Sequence, residues 1–157
     1  MNTKAAHRGD SSQRERKHKL NMILLRQHLA AIVAHAREAA PAECCGLIGG
    51  VQGSKSNSIY PLRNVRPDSE RAYEAAPEDL FAAQRQMRER GEDLQAIYHS
   101  HPRSSNPTPS ETDVRLAYYP AATYLIIGLG EDDAVVRAFN ISEQKHCWEP
   151  VEYVIQD

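Results

Sequence analysis

Two histidines and an aspartate stand close together in the sequence, and their residue types are those of a metal site. His99 and His101 are separated by one residue, and Asp113 follows after a short polar segment. Two imidazoles and one carboxylate form a ligand set that suits Zn²⁺. Three protein ligands leave the fourth tetrahedral position to water, as in catalytic rather than structural zinc sites. The segment therefore predicts a catalytic Zn²⁺ site, with one ion per chain.

The elements around this segment are predicted to bring the three side chains to one point. Leu94–His99 has the pattern of a strand, and residues two apart on a strand project from the same face. His99 and His101 can therefore aim both imidazoles in one direction. The stretch 100–112 contains three prolines and leads into a short predicted helix from Ser110 to about Tyr119. Asp113 would lie one turn into that helix, at the strand end where sites form in α/β folds.

The same residues are compatible with purely structural roles. The histidines could be solvated turn residues next to Pro102. Ser110-Glu111-Thr112-Asp113 also has the form of a helix capping box, in which the serine accepts a backbone N–H and the acidic residue reaches back. The sequence supports a cap role and a catalytic role for Ser110 about equally. We expect Asp113 to ligate the metal instead of capping, on the view that it cannot do both.

Composition and charge indicate one globular domain with a basic tail. The chain has 157 residues, 41% hydrophobic and 25% charged, and a formal net charge of −2. Residues 1–21 carry six basic and two acidic residues, a balance of +4, which leaves 13 basic and 19 acidic residues elsewhere. We predict a disordered tail at 1–21 and a folded domain at 22–157. The tail lacks the aromatic residues that would favour a nucleic-acid arm.

Hydrophobic patterning predicts an α/β domain with a mixed sheet flanked by helices. No apolar run is long enough for a signal peptide or a membrane span, so we expect a cytoplasmic protein without a membrane partner. Oligomeric state stays open, with a homodimer as one option. The predicted elements are a helix to about Ala40, strands at 44–51 and Ile59–Leu62, a helix from Pro77 to Gly91, a hairpin of Thr123–Gly128 with Val135–Ile141, and a strand at Val151–Ile155.

Small and sulfur-containing residues mark the strand at 44–51. Cys44 and Cys45 are adjacent and Cys147 is distant, so a disulfide framework is not indicated. Adjacent strand residues face opposite sides, and we expect core roles, with one cysteine packed and the other near a surface or cleft. Gly49 and Gly50 either leave backbone room near the site or form a tight strand end.

The histidine–aspartate segment resembles the JAMM, or MPN-plus, signature of metallopeptidases. His99-Ser100-His101-Pro102, seven further residues, Ser110, two residues and Asp113 match every defining position. The family also has a glutamate before a strand of small residues, and Glu43 matches it. The resemblance covers about residues 23 to 155, including Arg71-Ala72-Tyr73.

The resemblance implies a cytidine-deaminase-like α/β fold in its JAMM form. His99, His101 and Asp113 would be zinc ligands, and Glu43 would act on the zinc-activated water as general base and then general acid. Ser110 would help to stabilise the oxyanion. Chemical reasoning alone does not select Glu43 from 21 acidic residues. A zinc deaminase is not indicated, because the sequence lacks the required glutamate after a ligand histidine and has no Cys-x-x-Cys.

The chain is similar to the small bacterial branch of this family, whose members act on ubiquitin-like sulfur-carrier proteins. This implies hydrolysis of a peptide or isopeptide bond after a C-terminal Gly-Gly, with the carrier protein as partner. Two alternatives remain: an isopeptidase with another substrate, or a non-catalytic scaffold of the MPN-minus kind. Scaffolds of that kind lack the metal ligands, whereas this sequence has them all.

Overall fold

The computed structural model describes residues 21–157, so the predicted tail at 1–21 lies outside the described residues except for Asn21. No helix in this range is long and apolar enough to cross a membrane. The elements in chain order are β1 (Met22–Leu25), α1 (Arg26–Ala39), β2 (Cys45–Gly50), β3 (Ser56–Leu62), α2 (Pro77–Glu89), β4 (Asp93–His101), α3 (Glu111–Arg115), β5 (Thr123–Gly128), β6 (Val135–Ser142), β7 (Cys147–Val151) and β8 (Tyr153–Gln156).

Six strands form one mixed sheet in the order β3-β2-β4-β5-β6-β7. β4 and β5 are parallel, and the other neighbours in this sheet are antiparallel. β1 and β8 pair in parallel as a separate two-stranded sheet. The predicted α/β class with a mixed sheet and flanking helices is therefore confirmed.

Each face of the large sheet has its own hydrophobic core. α1 covers one face, where Ile32 and Ala36 pack against strand residues such as Ile48 and Leu125. The shorter helices cover the other face, with Met87 of α2 among its buried residues. Burying one large aliphatic side chain in this way contributes about 1.5–3 kcal/mol. Because the central strands are covered on both sides, they read as apolar runs without alternation.

Gly46 in β2 makes room for a buried tyrosine on the neighbouring strand. Gly46 pairs with Tyr98 of β4, and a Cβ on Gly46 would lie 2.3 Å from three atoms of the Tyr98 side chain. Tyr98 is fully buried, and its hydroxyl lies 2.8 Å from Nδ1 of His35 in α1. Glycine at position 46 is therefore needed for the contact between Tyr98 of the sheet and His35 of α1.

Gly49 and Gly50 lie at the end of β2 that is remote from the histidines. Gly50 pairs with Asp93 at the start of β4, whereas Cys45 pairs with His99 near its end. A Cβ on Gly49 would meet Glu92, and one on Gly50 would meet Gln95. This location favours close packing at the strand end over backbone room beside the site.

Both cysteines at the start of β2 are buried, on opposite faces of the sheet. Cys44 belongs to the core under α1, and Cys45 belongs to the core under α2 and α3. Burial raises the pKa of the Cys44 thiol to about 11 and that of Cys45 to about 12. The opposite orientations and core roles agree with the sequence, and the high pKa values argue against thiolate chemistry at neutral pH.

Two strands were not predicted, and several element boundaries differ from the sequence predictions. β1 was not predicted, because Leu25 continues the helical spacing of α1, and β7 was not predicted, because its exposed residues show no alternation. β1 is a strand because it pairs with the distant β8, and β7 is a strand because it forms a hairpin with its neighbour β6. β4 extends to His101, and α3 ends at Arg115 instead of Tyr119, with turns before Pro120.

We expect Gly46→Ala to lower the free energy of unfolding by about 1–3 kcal/mol, because the added methyl group overpacks the fully buried Tyr98 ring. Chemical denaturation of the single variants and of Gly46→Ala/Tyr98→Leu measures the effect. The double variant should lose less than the sum of the single changes, since the smaller side chain removes the clash. Simple additivity would contradict this account.

Candidate metal centre

His99, His101 and Asp113 converge on one point at the carboxyl end of β4. The Nε2 atoms of the two histidines lie 3.1 Å apart. Oδ2 of Asp113 lies 3.1 Å from Nε2 of His101 and 3.2 Å from Nε2 of His99. The strand aims both imidazoles in one direction, and the loop before α3 returns the chain so that Asp113 faces them.

These donor distances fit a divalent ion such as Zn²⁺. Zn–N and Zn–O bonds of about 2.0–2.1 Å in a tetrahedron place neighbouring donor atoms about 3.3 Å apart. The three separations of 3.1–3.2 Å in the protein are close to this value. Imidazole and carboxylate groups are ligand types that zinc, iron and cobalt share.

Asp113 takes part in a helix cap as well as in the histidine cluster. Its Oδ2 accepts a hydrogen bond from the Ser110 backbone N–H at 2.8 Å, and the Ser110 Oγ accepts from the Asp113 N–H at 3.0 Å. The capping box is therefore complete. The expectation that Asp113 would not cap is wrong, because one carboxylate oxygen accepts the backbone bond while it faces both histidines. The cap holds the Asp113 side chain in the orientation that the site needs.

Asp113 and His99 stabilise one another's charged forms. Burial raises the pKa of Asp113, but His99, His101 and the Ser110 backbone outweigh it, so the pKa lies well below its ordinary value. Burial lowers the pKa of His99, yet the neighbouring Asp113 carboxylate raises it overall. The Asp113 carboxylate is therefore ionised at neutral pH, and it supplies a negative charge that attracts a cation.

His99 is held by packing on one side of its ring. The ring centroid of Tyr73 lies 4.7 Å from that of His99, with the planes 31° apart. Nδ1 of His99 is buried and has no hydrogen-bond partner among residues 21–157. Metal-ligating histidines usually donate their second N–H to a partner. In this protein, strand geometry and the Tyr73 ring orient the imidazole instead.

Glu43 lies directly before β2 and points toward the histidine cluster. Its Oε1 lies 4.0 Å from Nε2 of His101, and its side chain is only 6% exposed. Burial raises the pKa of Glu43, although His99 and His101 oppose this shift. Glu43, His99 and His101 also form a possible ligand group, with donor atoms within 4.8 Å of one another. The shorter distances to Asp113 favour Asp113 as the third ligand and leave Glu43 beside it.

Two openings flank the cluster, and they differ in polarity. A polar cleft of about 410 Å³ is lined by residues that include Glu43, His101, Ser110, Arg71 and Arg103. An apolar cavity of about 370 Å³ is lined by residues that include Tyr73, Leu80, Phe81, Asp113 and Leu116. Asp113 therefore stands beside the apolar cavity, while His101 and Glu43 face the polar cleft.

The structure brings together all five residues singled out from the sequence, and it adds neighbours that the sequence did not identify. Tyr73 was part of the matched segment but had no assigned contact. The apolar cavity depends on α2 and α3 meeting across one sheet face. No spacing rule places these elements side by side, so sequence reasoning had no signal for the cavity.

Comparison with known proteins gives a family and several relatives. The family of prokaryotic homologues of the JAB domain matches residues 25–142. The chain is 38% identical to a desampylase of Haloferax volcanii over 61% of this chain and 72% of that protein. It is 32% identical to the CysO-cysteine peptidase of Mycobacterium tuberculosis over 90% of this chain and 97% of that protein. A probable TtuB-protein conjugate cleaving protease of Thermus thermophilus is 35% identical over 80% of each chain.

Solved structures have the same fold. The solution structure of a Desulfitobacterium hafniense protein has a TM-score of 0.75 at 33% identity and covers 87% of this chain and 94% of that one. The crystal structure of a JAB1/MPN domain protein from Archaeoglobus fulgidus has a TM-score of 0.59 at 20% identity, with coverage of 87% and 98%. The second likeness concerns the fold alone.

We expect Asp113→Ala to weaken zinc binding, because a ligand is lost. The loss of affinity should exceed the ~10–100-fold that follows from changing a residue that only hydrogen-bonds to a ligand. Ser110→Ala is the matched control. Both variants remove half of the capping box, at a cost of about 1 kcal/mol in stability. Only Asp113→Ala should lose zinc during dialysis, as measured by metal analysis of the folded protein. Equal zinc retention in the two variants would contradict the ligand role of Asp113.

Proposed function

Since the chain belongs to the family of prokaryotic homologues of the JAB domain, we propose that it is a zinc-dependent peptidase of the JAMM type. Its proposed reaction is hydrolysis of the peptide or isopeptide bond after the C-terminal Gly-Gly of a ubiquitin-like sulfur-carrier protein. The observation that carries this proposal is the convergence of two imidazoles and one ionised carboxylate within 3.1–3.2 Å, with a buried glutamate beside them.

The relatives support the reaction class. One is named as a peptidase for CysO-cysteine, and another as a probable protease that cleaves TtuB–protein conjugates. The first relative is similar along almost the whole of both chains. We therefore assign this chain the same general reaction, cleavage of a bond formed by a small protein modifier. The TtuB relative favours an isopeptidase on protein conjugates as the second candidate.

The two openings beside the cluster suit an extended chain that passes over it. A Gly-Gly segment has no side chains and can lie close to a protein surface in extended form, including along a sheet edge. The apolar cavity beside Asp113 would accept an aliphatic or aromatic side chain of the substrate, and the polar cleft would accept charged groups. We infer that the scissile bond lies between these openings.

A divalent ion held by His99, His101 and Asp113 would supply Lewis-acid activation of water and of the scissile carbonyl. Glu43 is positioned to take a proton from the attacking water and to deliver it to the leaving amine. Its burial favours this role, because the raised pKa of Glu43 lets the carboxyl group hold the proton between the two transfers. The buried cysteines are not needed in this scheme.

Ser110 is the proposed donor to the developing oxyanion. Its Oγ accepts the Asp113 backbone N–H, which leaves the hydroxyl proton for a partner in the polar cleft. A single donor of this kind typically contributes about 10²–10³ in rate. The capping and catalytic roles of Ser110 are therefore compatible, since the cap uses the serine as an acceptor and the reaction uses it as a donor.

The first test is metal analysis combined with cleavage of a sulfur-carrier protein extended by one residue beyond its Gly-Gly end. We expect about one zinc per chain and release of the extra residue, detected by mass spectrometry. A chelator should abolish the release, and added zinc should restore it.

Zinc binding without release of the extra residue would favour the isopeptidase candidate, which a carrier joined to a lysine side chain would then test. A well-folded protein that takes up no metal after reconstitution would contradict the proposed function and favour a non-catalytic scaffold.

We expect Glu43→Gln to lower kcat by about 10²–10⁴-fold, because proton transfer is removed while the three proposed ligands stay in place. The zinc content should equal that of the unchanged protein. Glu78→Gln on the exposed start of α2 is a matched control that should leave kcat unchanged. Loss of zinc in Glu43→Gln would instead identify Glu43 as a ligand.

A further inference from the structure

Among residues 21–157, no hydrogen bond holds the oxygens of the Glu43 carboxylate. Oε2 is buried and has no hydrogen-bond partner among residues 21–157. Oε1 lies 4.0 Å from His101, beyond hydrogen-bond distance. Glu43 also precedes β2, so it lies outside the ladder that holds the strand residues. The hydrogen bonds that fix this residue are therefore those of its main chain.

Asn64 binds that main chain directly. Its Nδ2 donates to the Glu43 carbonyl at 3.0 Å and to the Ala72 carbonyl at 3.1 Å. Its Oδ1 accepts the backbone N–H groups of Arg66 at 3.0 Å and Glu74 at 3.1 Å. One amide side chain thus joins the backbone of Glu43 to the loop 63–76.

The same loop holds Glu43 through its other backbone group. The Glu43 N–H donates to the Ser69 carbonyl at 2.7 Å. Ser69 lies within the part of the loop that Asn64 organises, and Nδ2 of Asn64 is also 3.5 Å from the Ser69 carbonyl. Both backbone polar groups of Glu43 are therefore tied to one local structure, with Asn64 at its centre.

Ser100 of β4 binds the backbone of Cys44, the residue that follows Glu43, from the neighbouring strand. Its Oγ accepts the Cys44 N–H at 2.8 Å, and its own N–H donates to the Cys44 carbonyl at 3.2 Å. Ser100 is fully buried and stands between the two histidines, with its side chain on the other face of β4. The strand that carries the proposed ligands is thereby tied to the residue that follows Glu43.

From these contacts we propose that Asn64 is a positioning residue for Glu43, with Ser100 in the same role on the opposite side. Neither side chain touches the reacting atoms. Asn64 holds the Glu43 carbonyl, Ser100 holds the Cys44 N–H, and together they set where the free carboxylate stands relative to His101. The inference depends on the proposed role of Glu43 as general base.

The main competing explanation is a structural role in the loop alone. Asn64 bonds Ala72 and Glu74, which flank Tyr73, and Tyr73 packs on His99. Loss of Asn64 could therefore act through His99 and the metal instead of Glu43. An effect of Asn64 through His99 would appear as a loss of zinc or a rise in KM. An effect through Glu43 would lower kcat and leave zinc content and KM unchanged.

Asn64→Asp is the single substitution that tests this proposal most specifically. An aspartate keeps an oxygen for the N–H groups of Arg66 and Glu74 but loses the donor to the Glu43 carbonyl. We expect kcat to fall on the order of 10²-fold, as small displacements of a catalytic group do. KM and zinc content should equal those of the unchanged protein, because neither substrate binding nor metal ligation is altered. Asn106→Asp is the matched control, since its Oδ1 only accepts a bond from Arg137, and its kcat should not change.

The decisive measurement is the double variant Asn64→Asp/Glu43→Gln. If Asn64 acts through Glu43, kcat of the double variant equals that of Glu43→Gln alone. A further fall in kcat, a loss of zinc, or an unchanged kcat in Asn64→Asp would overturn the proposal. An unchanged kcat in Glu43→Gln itself would instead overturn the proposed function, so the two failures are distinguishable.

Ser100→Ala provides a second route to the same answer, including the case in which Asn64→Asp does not fold. It removes only the acceptor of the Cys44 N–H, and alanine fits the buried position. We expect the same pattern, a lower kcat with unchanged KM and zinc content, and no further fall in the Glu43→Gln background. Full activity of folded Ser100→Ala would overturn the positioning of Glu43 by these paired contacts.

Discussion

The arrangement of the site depends on one carboxylate oxygen, Oδ2 of Asp113. It accepts the backbone N–H that begins α3 and also stands 3.1–3.2 Å from two imidazole nitrogens. A solvated aspartate has several rotamers, and the cap selects one of them. The short helix therefore orients the Asp113 carboxylate, the proposed third ligand, and its five residues are enough because the cap, not helix propensity, orients the side chain.

A second constraint is the pairing of β2 with β4, which brings the segment before β2 beside the histidines. Gly46 leaves room for the Tyr98 ring between the strands and α1. At the end of the strand pair, Ser100 binds the backbone of Cys44. Alternation along β4 then divides the roles of neighbouring residues. The histidines face Asp113 and the proposed metal centre, whereas Tyr98 and Ser100 lie on the α1 side of the strand and hold the strands together.

Glu43 and Asp113 are both buried, but their different partners give them different protonation behaviour. Burial raises the pKa of both groups, but His99, His101 and the Ser110 backbone lower that of Asp113 overall. The buried oxygen of Glu43 has no hydrogen-bond donor among residues 21–157. Separation of two carboxyl pKa values by their surroundings is the usual basis for assigning different roles to them. The proposed scheme uses this difference, with Asp113 as a permanent anion for the metal and Glu43 as the group that carries a proton.

The sequence by itself determined the features that depend on local spacing. It predicted the mixed α/β class, the helices that became α1 and α2, and the grouping of His99, His101 and Asp113, because strand alternation and the capping pattern act over a few residues. Resemblance to a family was needed to select Glu43. The strands β1 and β7, the apolar cavity, and the roles of Asn64 and Ser100 were decided only by the tertiary structure. Except for β7, which pairs with its neighbour β6, each of these depends on contacts between segments far apart in the chain, such as Asn64 with Glu43. Local spacing does not specify which distant backbone groups will meet.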